Sequence, residues 1–154
     1  KNTKTWLMLT QESLKDAEAI AEYKKVIDQS PNYSWAYFNL GSIAYDQGDY
    51  NSALGYLQKT LEYNPRDIEA YKIMTKILFK TERYDEAYGI MKVALEEIPD
   101  NGDLYYVMAQ VLKYKQMWAE YKECMTLAME NHDTLSIQPK EVQAELEKNL
   151  PQGA

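Results

Sequence analysis

Proline recurs at a fixed interval in this chain: Pro31, Pro65 and Pro99 are each 34 residues apart. Ala19, Ala53 and Ala87 share that spacing, as do Tyr37, Tyr71 and Tyr105, and Leu40, Met74 and Met108. Tyr50 and Tyr84 continue it into Trp118. Columns of unrelated side-chain chemistry on one period mark a repeated supersecondary unit. Such a unit cannot bury its apolar face alone, so it must stack against its neighbours.

Each unit reads as two helices. From Ser34 to Gln47 the apolar residues fall at helical spacing, and Gly48-Asp49 interrupts them. Tyr50 to Tyr63 then places Ala53, Leu54, Leu57 and Leu61 on one face. Asn64-Pro65-Arg66-Asp67 closes the unit, because proline disfavours helical backbone in the residue before it. Ile68–Lys80 with Tyr84–Glu97, and Gly102–Lys115 with Trp118–Asn131, repeat the arrangement. Upstream, Asp16–Ser30 reads as a second helix, with Lys1–Gln11 as a weaker first one. Downstream, Pro139 suits a first helical position. Val142 and Leu146 make Pro139–Asn149 an amphipathic cap, with Glu141, Glu145, Glu147 and Lys148 expected to face water.

The unit 34–67 carries Asn39-Leu40-Gly41, Gln47-Gly48-Asp49-Tyr50, Ala53 and Pro65, and in these positions it resembles the tetratricopeptide repeat family. The resemblance spans about residues 16–133. It implies an all-α fold: a right-handed superhelix, or α-solenoid, of antiparallel helix pairs ending in a capping helix. The expected organisation is one domain over 1–150, with a divergent repeat at 1–33, full repeats at 34–67, 68–101 and 102–135, a cap at 139–149 and a tail at 151–154. About nine helices follow from that count. Ala44 and Leu78 stand where the family often has tyrosine, and Tyr121 where a small alanine is usual.

Composition narrows the function. The formal charge is −7, whereas a nucleic-acid binder needs a basic surface to displace counterions. No apolar run approaches the roughly 18 residues that span a bilayer, so no membrane insertion is expected. Cys124 and His132 are the single cysteine and histidine, too few for a disulfide or a histidine metal site. The lone thiol leans towards a cytoplasmic, reducing compartment. The first residue is Lys1 rather than Met, so a processed or excised chain is expected, and a periplasmic location after signal-peptide removal stays open. Catalytic chemistry is weakly represented. His132-Asp133 are neighbours in the chain, which seldom hydrogen-bond in triad geometry. Cys124 lies beside Glu123, which does not favour a thiolate. No glycine-rich phosphate loop occurs. Neither an enzyme nor a cofactor is expected.

The informative surface lies on the first helix of each unit. Numbering from Ser34, Ile68 and Gly102, a helix turning about 100° per residue puts positions 4, 7, 8 and 11 on the packing face. Positions 2, 5, 6, 9, 12 and 13 lie opposite. In the tetratricopeptide family that opposite face lines the concave peptide groove, and by position the resemblance assigns the role here to Trp35, Phe38, Asn39, Ser42 and Tyr45, then Lys72, Lys76, Phe79 and Lys80, then Tyr106, Gln110, Lys113 and Tyr114. Lys72, Lys76 and Lys80 form a basic stripe beside large apolar groups. The matching partner is a protein or peptide segment with acidic and apolar side chains. The blander alternative is that the aromatics pack on neighbouring helices and the lysines are a solvated face. The family's clamp for chaperone C-termini is matched by Lys4 and Asn39 only; Met8, Glu69 and Ile73 stand where asparagine, lysine and arginine are needed.

Three function classes remain: a non-catalytic adaptor binding a segment in its groove, a small chaperone escorting secreted or exported proteins, and a self-associating scaffold in which Trp6, Leu7 and Leu9 dock into another copy.

Overall fold

A computed structural model describes the backbone of residues 2–150 and the side chains of residues 13–150. Within that span the chain is all-helical, with no strand among the described residues. Its elements are α1 (Asn2–Gln29), α2 (Ser34–Asp46), α3 (Tyr50–Tyr63), α4 (Ile68–Lys80), α5 (Tyr84–Glu97), α6 (Gly102–Tyr114), α7 (Trp118–Glu130), a 3-10 turn (His132–Thr134) and α8 (Pro139–Asn149). They form two compact units that divide between Pro65 and Arg66.

Local chemistry explains the boundaries. Asp49, Asp67 and Asn101 cap α3, α4 and α6, their side-chain oxygens accepting from the backbone N–H of Ser52, Ala70 and Leu104 at 3.0–3.3 Å. Each such cap satisfies a donor that the first helical turn leaves orphaned. Tyr37 and Tyr105 donate their hydroxyls to the carbonyls of Pro31 and Pro99, both at 2.7 Å. Those bonds fasten each loop to the helix that follows it, which gives the proline and tyrosine columns a shared physical reason. The turn between paired helices needs one left-handed residue. Gly48 supplies it at φ 78°, while Glu82 and Gln116 adopt φ 58° and 59° at the equivalent points. The next N–H then reaches back five residues, as from Asp49 to Ala44, Arg83 to Leu78 and Met117 to Leu112.

In the first unit, Ala36, Leu40 and Ala44 of α2 are buried with Ala53, Leu54 and Leu57 of α3. Trp35, half exposed, sets its ring edgewise to Tyr23 of α1 at 5.3 Å. The second unit buries Tyr71, Met74, Ile77 and Leu78 of α4, Met91 of α5, Leu104, Met108 and Leu112 of α6, and Met125 of α7. The buried face is wider than the expected stripe. Ala36, Ala70 and Leu104 at position 3, and Ile77 and Val111 at position 10, are fully buried as well.

Two expectations are corrected. A break was expected between Gln11 and Asp16, yet α1 is one 28-residue helix. No glycine or proline lies between those residues to stop it, so eight α-helices form among the described residues rather than nine. Glu145 does not face water; it is half-buried and accepts two hydrogen bonds from α6. Tyr121, in its column of small residues, fits fully buried. Its hydroxyl meets the Asn149 amide at 3.4 Å, and its ring contacts Trp118 edgewise. Val142 and Leu146 of α8 are buried, as expected of a cap. Residues 151–154, and the side chains of Trp6, Leu7 and Leu9, lie outside the described residues.

Candidate functional site

Helices α4 and α6, one repeat apart, turn equivalent faces to the same side. Between them lies a cavity of about 280 Å³ lined by Ile73, Thr75, Lys76 and Phe79 of α4 and Tyr106, Val107 and Gln110 of α6, with Glu69 and Lys72 at one end. Ile73, Phe79 and Val107 are the apolar wall, each partly exposed. A smaller cavity of about 180 Å³ adjoins, sharing Lys72, Tyr106 and Val107 and adding Asp103, Ser136 and Ile137.

The three lysines of α4 are not equivalent. Lys72 Nζ lies 3.0 Å from Asp103 Oδ2 and 3.5 Å from Glu69 Oε1, and its side chain is 23% exposed. Asp103 in turn accepts from the backbone N–H of Ser136 at 2.7 Å and from its hydroxyl at 2.6 Å. Burial works against both charges. The Ser136 bonds and Lys72 nevertheless hold the Asp103 carboxyl below its ordinary range, and Asp103 with Glu69 raises Lys72. An acid one repeat along thus pairs with Lys72, which sets it apart from the other two lysines of the stripe. Lys76 and Lys80 are exposed, and Lys76 has no ion-pair partner among the described residues.

Two further assignments change character. Tyr106 donates to Glu145 Oε1 and Gln110 to Glu145 Oε2, both at 2.9 Å. Burial first, and then Glu145, push the Tyr106 phenol up to about 12. Both residues line the cavity, yet their polar ends are turned to the cap rather than left open. Lys113 is half-buried, and Tyr114 is exposed with its ring stacked on Tyr84 at 4.2 Å. Phe79 joins that pair at 5.5 and 5.8 Å, extending the cavity wall into an aromatic shelf.

The first unit carries the other five candidates on α2. Phe38 and Ser42 are partly exposed, Tyr45 contacts the ring of Tyr50 at 5.9 Å, and Asn39 donates to the Trp35 carbonyl at 2.7 Å. The Asn39 donor is thus engaged within its own helix. Thr75, Ser136, Ile137 and Glu145 also take part, and the spacing of the groove face does not mark them. Ser136 and Ile137 sit in an aperiodic loop, which leaves no pattern to find.

Elsewhere, His132 Nδ1 and Asp133 Oδ1 approach to 3.2 Å. Both are exposed, so the contact is a solvated surface pair. Burial, then Glu123 and Glu120, push the Cys124 thiol up to about 12. Among the described residues no group of three His, Cys, Asp or Glu is placed to hold a metal ion, and no helix is long and apolar enough to cross a membrane.

A family model described as tetratricopeptide repeat matches residues 17–77, and the helix pairs continue on the same period beyond it. Residues 17–77 are thus similar to the tetratricopeptide repeat family, and the all-α repeat fold of the described residues is that of tetratricopeptide repeat proteins. Solved tetratricopeptide repeat structures share the fold. A MamA RS-1 double mutant is 18% identical, with a TM-score of 0.68 over 95% of this chain and 82% of that one. YrrB, described as a TPR protein with an unusual peptide-binding site, is 23% identical with a TM-score of 0.68, covering 83% of this chain and 64% of that one. The TPR2B domain of yeast Sti1, solved in complex with pHsp70, is 17% identical with a TM-score of 0.65, covering 75% and 94%. No curated protein is detectably similar in sequence.

Proposed function

We propose that this chain is a non-catalytic interaction module that holds a segment of a partner protein against the α4/α6 face of its tetratricopeptide repeats. The observation that carries the reading is the cavity between those helices. Its wall is apolar (Ile73, Phe79, Val107), and the exposed Lys76 lies with it among the lining residues. Apolar concavities with a few convergent polar groups are where ligands are held. At about 280 Å³ it suits one or two side chains of a peptide rather than a large cofactor. One buried anchor with partly screened charge yields affinities on the order of micromolar. The peptide-binding descriptions of YrrB and Sti1 belong to those proteins; they support the mode of binding here and not the ligand. A non-catalytic role is supported by Cys124, whose raised pKa keeps it a thiol, and by the exposure of the His132–Asp133 pair.

The test is selection of random displayed peptides on the natural chain, followed by binding measurements on Val107→Arg. Val107 is partly exposed, so the arginine fills the cavity without entering the core. Selected peptides are expected to lose most of their affinity for the variant while its circular dichroism is unchanged. Equal binding to both proteins, or no selection at all, refutes the reading.

A further inference from the structure

We infer that the α4/α6 cavity selects a segment carrying a single carboxylate next to an apolar anchor, with Lys76 as the group that contacts that carboxylate and Lys72 as a positioning residue that does not. The inference rests on the proposed function and adds the chemistry of the partner.

Sequence spacing alone makes Lys72 and Lys76 equal members of one stripe, and the structure separates them. Lys72 is enclosed by its own acids, Asp103 at 3.0 Å and Glu69 at 3.5 Å. Ser136 fixes Asp103 from the far side with two further bonds. An ion pair already satisfied on both sides has little left for an incoming charge, and pulling it apart strands a half-buried carboxylate. Its role is to join α4 to α6 and so hold the two cavity walls at their spacing.

Lys76 lies one turn further along α4, exposed, and lines the apolar cavity. The chain carries 24 acidic residues against 17 basic ones, yet none of the described acids pairs with it. Glu145, the acid that meets the α6 side of the cavity, already accepts from Tyr106 and Gln110. A carboxylate arriving beside Ile73, Phe79 and Val107 therefore meets Lys76 as the available cation among the described lining residues. A second carboxylate gains nothing from Lys72, and a basic segment is repelled. Apolar contact supplies the affinity, and Lys76 supplies the charge preference.

The experiment repeats the random-peptide selection on three proteins: the natural chain, Lys76→Glu, and the double variant Lys72→Met with Asp103→Asn, which removes the internal pair without changing net charge. Selected peptides are then measured by fluorescence anisotropy beside forms with Asp or Glu replaced by Asn or Gln. The natural chain is expected to select an acidic residue near an apolar one. Lys76→Glu is expected to bind those peptides about three- to tenfold more weakly, and to select basic residues around the same apolar anchor. The amide forms should be indifferent to Lys76→Glu, and the double variant should keep the acidic preference. If the natural chain selects apolar peptides without an acid, or if acidic peptides bind Lys76→Glu as well as the natural chain, the assignment of Lys76 is overturned and the cavity reading stands. If the acidic preference disappears in the double variant but survives in Lys76→Glu, Lys72 is the contact and the inference is wrong. If nothing is selected, or selected peptides ignore Val107→Arg, the cavity reading falls and the inference with it.

Discussion

Gly102 opens α6 at the point where the chain from α7 to α8 crosses it, and it offers a sharp test of that packing. A methyl group added there would lie 2.4 Å from the carbonyl oxygen of Asn131, 2.9 Å from Leu135 Cβ and 3.1 Å from the carbonyl oxygen of Ala128. An ordinary carbon–oxygen approach is about 3.3 Å, so the shortfall at Asn131 is roughly 0.9 Å. Two of the three obstacles are backbone, which cannot rotate aside as a side-chain tip can. Overpacking of this kind costs about 1–3 kcal/mol. The first helical position recovers little of the propensity gained on leaving glycine, so Gly102→Ala should destabilise by about 2 kcal/mol. Gly55 in α3 and Gly89 in α5 are the controls, being exposed mid-helix residues whose added Cβ meets nothing within 4 Å. Those two substitutions should each stabilise by about 0.5–1 kcal/mol. Urea unfolding followed by far-ultraviolet circular dichroism measures all three. Hydrogen exchange should localise the Gly102→Ala loss to α7 and α8, because Gly102 N–H also donates to Thr134 Oγ1 at 2.7 Å. A Gly102→Ala protein within about 0.5 kcal/mol of the natural chain refutes the close crossing. Control variants less stable than the natural chain refute the account of Gly55 and Gly89.

Glu82→Gly and Gln116→Gly should each raise stability by about 0.5–1 kcal/mol in the same assay, since both residues sit at positive φ, where a side chain is strained. Asp103 loses stability to burial, but the Ser136 bonds and Lys72 more than offset it and leave its carboxyl below the ordinary 3.8. Its contribution is thus complete above that value and lost as the pH falls through the lowered one. Asp103→Asn should flatten the fall in urea midpoint between about pH 5 and pH 2, and an unchanged acid limb would contradict the network. Cys124, pushed up to about 12, should react with a thiol reagent near pH 8 roughly a hundred- to a thousandfold more slowly than an unfolded thiol. Denaturant should abolish that difference; prompt labelling of the folded chain would show that burial does not protect the thiol.

Periodicity made the helix pairs, their turns and the core stripe legible in advance, because a regular helix fixes the direction of each side chain once its position is known. Tyr37, Leu40 and Ala44 needed no tertiary information to be assigned to the packing face. A break before Asp16 has no such support, as only weak apolar spacing suggests it and no residue there stops a helix. The cavity was legible in part. Ile73, Phe79, Tyr106 and Val107 follow from register, while Ser136 and Ile137 come from a loop whose path no period describes.

Determined by the sequence alone were the 34-residue unit, the all-α class and the identity of the face opposite the core. Each depends on spacing along one helix, which local backbone geometry controls. Only the tertiary structure decided which of those exposed charges are available. Lys72 and Asp103 are 31 residues apart, and Tyr106 and Glu145 are 39 apart. Whether such groups neutralise one another depends on a few ångströms between helices that no single helix's pattern contains. Electrostatic pairing is steep in that distance and in burial, and so two lysines one turn apart on α4 differ in kind.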